Sequence, residues 1–250
     1  MIGFIALCCN APKETPQLVG AYKQLSASYK GNGEDTTVVT QQLKIYTTDF
    51  MMYADFSPDS VASFGFGTYS AEPGVIKENV SYTSSDTSSN STLRSYTLDI
   101  ERTSVGYKQV IPEIGDSIKY QLTEDYERVS KEQTSPLDGA WQLASFRIIQ
   151  KNDTIKFEGI AYKVYQAGNF MFGNTSTDST NVKHTGVGFG TFEYISDTQV
   201  KETVVVSSYK NVVGKTVDVS IAFSGPDEFT QVITFENGAK YIEVYKKITK

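Results

Sequence analysis

Histidine occurs once, at His184, and cysteine only twice, at the adjacent Cys8 and Cys9. A zinc site draws several ligands from separated positions, so no metal centre is expected. Beyond residue 9 there is no cysteine, and hence no disulfide to staple the fold. Basic residues are outnumbered, 23 Lys and Arg against 29 Asp and Glu, a formal net charge of −6. That balance argues against nucleic acid, whose phosphates demand a basic face, and against electrostatic docking on anionic lipid. No apolar run is long enough to span a bilayer as a helix. No stretch combines sustained helical periodicity with helix caps.

Aromatic and hydrophobic residues are plentiful by contrast. The chain carries 16 Tyr and 14 Phe among 39% hydrophobic residues, enough for a core in each half of its 250 residues. Residues of this kind fit a pleated, half-buried surface. Met1 to Cys9 is apolar and is followed by the polar, proline-containing Asn10 to Gln17. This pattern reads as the tail of an export signal, and it is similar to the end of a bacterial lipoprotein signal with Cys8 or Cys9 as the lipidated residue. The expected location is the periplasm or outer membrane, as a lipoprotein, or the exterior as a secreted protein. Contact with a membrane would then run only through a lipid anchor.

The chain also repeats itself. Leu18-Val19-Gly20-Ala21-Tyr22 matches Leu137-Asp138-Gly139-Ala140-Trp141, and Lys44-Ile45-Tyr46 matches Lys163-Val164-Tyr165, both 119 residues apart. Phe50-Met51 matches Phe170-Met171 at 120, and Gly65-Phe66-Gly67 matches Gly188-Phe189-Gly190 at 123. Lys77-Glu78 matches Lys201-Glu202 at 124, Leu98-Asp99-Ile100 matches Val217-Asp218-Val219 at 119, and Tyr126 matches Tyr245 at 119. The colinear order carries the argument, because drift of a few residues is what loop insertions produce. The expected division is 1–14 as a signal remnant and linker, 15–130 as a first domain and 137–250 as a second. Lys131 to Pro136 is the linker between them.

Both halves read as strands. From Thr216 to Phe223 apolar and polar residues alternate, the period of a half-buried strand. Asn237-Gly238 is a tight-hairpin signal, and Gly168-Asn169 is a similar one. In the second half strands are expected near 138–149, 154–166, 169–175, 184–195, 198–208, 215–224, 228–236 and 240–248. About eight antiparallel strands can close into a barrel with a fillable interior; a two-sheet sandwich is the competing solution.

Gly139-Ala140-Trp141 in the first strand of the second half resembles the Gly-x-Trp start of the lipocalins, and Gly20-Ala21-Tyr22 is the same element with Tyr. The resemblance implies a basic residue on the last strand packed across that ring at the closed end, here Arg128 and Lys247. It is closest in character to short lipocalin-like domains of exported proteins from Bacteroidetes-type bacteria. The fold implied is all-β, two tandem antiparallel up-and-down barrels of about eight strands each.

The expected function is non-catalytic: an exported binding protein holding a small hydrophobic ligand, with no cofactor. Tyr22, Phe50, Phe66, Trp141, Phe170 and Phe189 are the candidate interior, ligand-lining residues, with core packing as the alternative role. The alternative function is a structural or interaction module of the cell envelope, with side-chain-filled barrels and a protein partner. The stretches Ser81 to Thr92 and Asn174 to Asn181 would be its exposed loops. His184, alone and without a counterpart, reads as structural. Gly186-Val187-Gly188-Phe189-Gly190 reads as strand-bending glycines, because strand and not helix follows it. Lys77-Glu78 and Lys201-Glu202 read as a solvated face, the alternative being a buried Glu that forms an ion pair or orients a ligand.

Overall fold

The computed structural model describes residues 18–31, 33–38, 41–56, 62–85, 93–115, 119–150, 153–156 and 158–250. The segment holding Cys8 and Cys9, and residues 86–92 of the Ser/Thr-rich stretch, lie outside these.

Nine strands form the first sheet: β1 (Gly20–Gly31), β2 (Glu34–Val38), β3 (Gln42–Tyr46), β4 (Phe50–Asp55), β5 (Ser63–Glu72), β6 (Val75–Thr83), β7 (Arg94–Arg102), β8 (Gly106–Ile114) and β9 (Tyr120–Arg128). Strands β2 and β3 run in the same direction along one edge of β1, β2 on its second half and β3 on its first. They occupy one position, so the sheet has eight. Antiparallel pairing of β1 with β9 closes it. The second sheet repeats this with β10 (Gly139–Gln150), β11 (Asp153–Lys156), β12 (Gly159–Gln166), β13 (Asn169–Thr177), β14 (Lys183–Ser196), β15 (Gln199–Ser207), β16 (Thr216–Gly225), β17 (Glu228–Thr234) and β18 (Lys240–Lys247). It closes through β10 and β18. The molecule is therefore all-β, with two eight-position up-and-down barrels, each closed by the pairing of its first and last long strands.

Most strand expectations in the second half match within a few residues. The strand expected at 154–166 is broken into β11 and β12, as its counterpart is into β2 and β3. The hairpin turn between β12 and β13 is Ala167-Gly168, one residue earlier than the sequence suggested; both residues have positive φ, +51° and +79°. Ser81 to Thr83 and Asn174 to Thr177 end strands β6 and β13 and are not loop.

Glycines shape the barrels at one matching bulge in each. Gly67 and Gly190 sit at register shifts in the β5–β6 and β14–β15 ladders. A Cβ there would lie 2.0 Å from the Asn79 carbonyl oxygen and 2.1 Å from that of Thr203, so only glycine fits the bulge.

Alternation along each strand sends one side-chain set inward. In barrel 1 the closed half is filled by Tyr22, Tyr46, Met51, Tyr69, Tyr107 and Tyr126, packed mostly edge-to-face. In barrel 2 Trp141, Tyr165, Phe170, Phe192, Phe229 and Tyr245 take those places. A third apolar cluster lies between the barrels. Ile45, Met52, Phe64 and Phe66 on the outer face of β3–β5 pack against Val164, Met171, Val187 and Phe189 on the outer face of β12–β14. The rings of Phe66 and Tyr162 stack across this junction at 4.4 Å.

Candidate functional site

Halfway along each barrel the aromatic layer gives way to four polar residues at matching ladder positions. In barrel 1 they are Lys44, Glu78, Gln109 and Glu124, all no more than 4% exposed. Lys44 Nζ donates to Glu78 Oε1 at 3.0 Å, to Glu78 Oε2 at 3.3 Å and to Gln109 Oε1 at 3.4 Å. Gln109 Nε2 donates in turn to Glu124 Oε2, and Gln24 Nε2 donates to Glu124 Oε1 at 2.5 Å. Tyr46 donates its hydroxyl to Glu78, and Tyr126 donates to Gln42 Oε1 at 2.5 Å. A buried charge is tolerable only when paired and hydrogen-bonded, and this chain of contacts supplies both.

Barrel 2 carries the same quartet as Lys163, Glu202, Gln231 and Glu243. Lys163 Nζ reaches Glu202 Oε1 at 2.8 Å, Glu202 Oε2 at 3.1 Å and Gln231 Oε1 at 3.0 Å, while Gln231 Nε2 donates to Glu243. Burial pushes the carboxyls of Glu124 and Glu243 above the ordinary range, opposed by the nearby ammoniums of Lys44 and Lys163. Burial also lifts the phenols of Tyr46, Tyr126, Tyr165 and Tyr245 well above 10.0, with Glu78, Glu124, Glu202 and Glu243 adding to it, so all four act as neutral donors.

Beyond the quartet the two barrels differ. In barrel 1 a half-open cavity of about 200 Å³ lies above Lys44, Glu78, Gln109 and Glu124. Tyr29, Tyr53, Tyr96, Ile111 and Leu122 wall it, and Asp55 and Gln42 also line it. Ala27 leaves the room: it stands opposite Glu124 in the β1–β9 ladder. Phe146 stands opposite Glu243 at the same place in barrel 2. Likewise Leu122 faces Tyr29, whereas Tyr241 faces Ile148. Phe146 and Tyr241 meet edge-to-face at 5.5 Å, and Phe235 packs on Tyr241 at 4.6 Å. Three aromatic rings therefore crowd the open end of barrel 2.

The expected interior residues divide. Tyr22, Trp141 and Phe170 point inward, in the closed-end aromatic layer and not along the cavity. Phe50, Phe66 and Phe189 are a correction: they lie outside the barrels, in the apolar junction. The ladder gives the reason for Phe50. Tyr46 pairs with Met51 and Tyr165 with Phe170, so Met51 and not Phe50 is the counterpart of Phe170. A one-residue slip moves a side chain to the opposite face.

At the closed end Lys247 pairs with Trp141 and holds its ammonium 5.3 Å from the ring centroid, while Trp141 Nε1 donates to the Leu137 carbonyl at 2.7 Å. Arg128 pairs with Tyr22, but its guanidinium donates to Ser130 Oγ at 2.9 Å and to the Val19 carbonyl at 3.4 Å. Glu78 and Glu202 correct the solvated-face reading, since both are buried ion-pair members; Lys77 and Lys201 are the exposed partners. His184 sits exposed on the second barrel, 2.8 Å from Asp178 Oδ2. Asp178 also accepts from Thr180 Oγ1 at 2.6 Å and is held well below the carboxylate range by the Thr180 hydroxyl and by His184, a turn-stabilising arrangement. Lys44, Lys163, Gln109, Gln231, Glu124 and Glu243 had not been singled out as site residues. Their signal was available: identical polar residues stand at matching places in both halves.

The closed antiparallel ribbon, the Gly-x-aromatic first strand and the basic residue opposite it decide the architecture. The chain is a tandem of two lipocalin-like barrels. No protein-family model matches the sequence, and no curated protein matches it either. Among solved structures, a lipocalin-like protein from Bacteroides uniformis aligns at 15% identity and TM-score 0.31, covering 46% of this chain and 100% of that one. An uncharacterized protein from Bacteroides eggerthii aligns at 16% identity and TM-score 0.29, covering 45% and 99%. A mutant of transferrin binding protein B from Haemophilus parasuis aligns at 9% identity and TM-score 0.27, covering 91% and 67%.

Proposed function

We propose that this tandem lipocalin-like chain is a non-catalytic binding protein that holds one small ligand in barrel 1, with barrel 2 as a filled structural partner. The observation that carries this reading is the contrast at the open ends: a cavity of about 200 Å³ behind Ala27 in barrel 1, and Phe146 with Tyr241 at the same places in barrel 2. That volume lies below the roughly 300–1,000 Å³ typical of drug-sized pockets, so the ligand is small. Ile111, Ile114, Leu122 and Val80 suit an apolar portion, and the polar floor adds a hydrogen-bonding end.

The experiment is native mass spectrometry and thermal shift on protein purified from its own host, alongside Ala27→Phe. A co-purifying small molecule that Ala27→Phe excludes supports the reading. No bound species and no stabilisation across a small-molecule panel would sink it. A second reading, a side-chain-filled module with an envelope protein partner, is favoured for barrel 2 by its occupied open end. We further propose that Met1 to Cys9 directs export and that Cys8 or Cys9 carries the lipid; metabolic labelling with a fatty acid, lost in a Cys8→Ser/Cys9→Ser double variant, is the check.

A further inference from the structure

The floor of barrel 1 offers hydrogen-bond acceptors and no spare donors of positive charge. An ammonium has three protons to donate, and Lys44 has three acceptors already, two from Glu78 and one from Gln109. An anionic ligand would find no cation there without breaking a buried ion pair. Glu124 is the opposite case. Among the described residues its hydrogen-bond donors are neutral: Gln24, Gln109 and, at 3.2 Å, Tyr126. Tyr126 has a single proton, and the closer acceptor is Gln42 Oε1 at 2.5 Å. A carboxylate has about four lone-pair sites, so Glu124 keeps acceptor capacity on a cavity wall.

The lining as a whole carries three carboxylates, Asp55, Glu78 and Glu124, against one ammonium, Lys44. Arg94, opposite Val80 in the β6–β7 ladder, is exposed and does not line the cavity. Three tyrosine rings, Tyr29, Tyr53 and Tyr96, complete the wall. Tyr53 lies flat against Gly65, where a Cβ would fall 2.3 Å from its ring. Electron-rich ring faces beside carboxylates attract organic cations. Barrel 2 keeps the quartet but loses these features. Gln24, Tyr53 and Tyr96 give way to Leu143, Phe172 and Val217 at the matching ladder positions.

We propose that barrel 1 selects a small organic cation, an amine or quaternary ammonium, seated on Glu124 between Tyr29, Tyr53 and Tyr96. The proposal rests on barrel 1 being the binding site. The test is isothermal titration of the full chain at neutral pH with four probes of similar size: tetramethylammonium, butylammonium, butan-1-ol and butyrate. The two cations should bind once per chain, at least about tenfold more tightly than the alcohol, with butyrate weakest. Glu124→Gln should lose about tenfold in cation affinity and clearly less in alcohol affinity, since the amide oxygen still accepts a hydroxyl proton. Should Glu124→Gln fail to give a native near-ultraviolet dichroism spectrum, Tyr96→Val serves instead, with an expected loss of about threefold for tetramethylammonium. Alcohol or butyrate binding as tightly as the cations, and abolished by Ala27→Phe, would overturn the cation assignment and leave the barrel 1 site standing. Silence from every probe, or binding indifferent to Ala27→Phe, would overturn the site as well.

Discussion

The two barrels share a floor and differ at the rim. Lys44, Glu78, Gln109 and Glu124 recur as Lys163, Glu202, Gln231 and Glu243, whereas Ala27 and Leu122 became, or came from, Phe146 and Tyr241. The physics of burial accounts for the contrast. A buried, interlocked set of charges resists change one residue at a time, because removing any one leaves another uncompensated. The rim side chains are apolar or aromatic and carry no buried charge pairing, so they can be exchanged singly. In a duplicated protein the unchanged part therefore marks what folding requires, and the changed part marks where function has room to diverge.

The most damaging way to probe that distinction is to break the floor. Lys163→Met should cost ~3–5 kcal/mol, since it strands the buried Glu202 carboxylate without its cation. Lys44→Met should cost less, because the cavity lets water reach Glu78. Urea unfolding of the full chain measures both, and equal losses would mean that the cavity leaves the barrel 1 floor as dry as its counterpart. Next comes the junction. Phe66→Ala removes a ring stacked on Tyr162 and should cost about 3 kcal/mol. It should also split thermal unfolding into two steps in calorimetry, because the barrels would no longer share that apolar contact.

Much of this molecule was legible in advance because duplication and alternation leave strong marks. About eight strand positions per half followed from pattern, and the resemblance carried by the first-strand Gly-x-aromatic favoured a closed barrel over a sandwich. Which face each aromatic takes did not. Phe50-Met51 looks like Phe170-Met171 letter by letter, yet the ladder offsets them by one, and a period of two turns that slip into an inversion. Phe66 and Phe189 were correctly matched but point outward, because each barrel covers the other's outer wall. The trace of that was the nearly unbroken apolar character of Leu43 to Tyr46 and Phe50 to Ala54, which a strand shows when both faces are buried. The polar floor escaped notice because charged residues on a strand are ordinarily solvent-facing. Only their recurrence in both halves argued otherwise.

A milder intervention exchanges the rims. Phe146→Ala with Tyr241→Leu should open barrel 2 at a cost of about 2 kcal/mol, less than for fully buried rings because both side chains are part-exposed. The double variant should gain space above Lys163 and Glu202, visible in a crystal structure, but with Ile148 and Val217 in place of Tyr29 and Tyr96 it should not bind organic cations. Binding there would mean that the quartet alone is enough.

Proton linkage offers a subtler comparison. Glu124 and Glu243 both have carboxyls raised above 4.5 by burial. A raised folded value means the native state holds its proton longer than the unfolded chain. The associated stability is complete below the ordinary carboxylate range and is lost as pH rises through the raised values. Stability should therefore fall, on the order of 1 kcal/mol, from mildly acidic to neutral pH. Glu124→Gln and Glu243→Gln should each flatten the profile in thermal melts taken across that range. An organic cation bound on Glu124 should flatten only the barrel 1 contribution.

The smallest expected effect concerns one oxygen. Tyr107 is fully buried between Tyr22 and Tyr126, with ring centroids 4.9 Å from each, and among the described residues its hydroxyl makes no well-formed hydrogen bond, the Tyr46 hydroxyl being a polar neighbour. Phe229 holds the matching position in barrel 2, opposite Tyr245 as Tyr107 is opposite Tyr126. A buried hydroxyl without a partner forfeits its hydration and gains nothing back. Tyr107→Phe keeps the ring packing and removes that burden, so it should leave stability unchanged or raise it by up to about 1 kcal/mol. Denaturant midpoints with unchanged slopes would show it. A clear loss of stability would mean that the Tyr107 hydroxyl is bonded after all, to Tyr46 or to ordered water beside it.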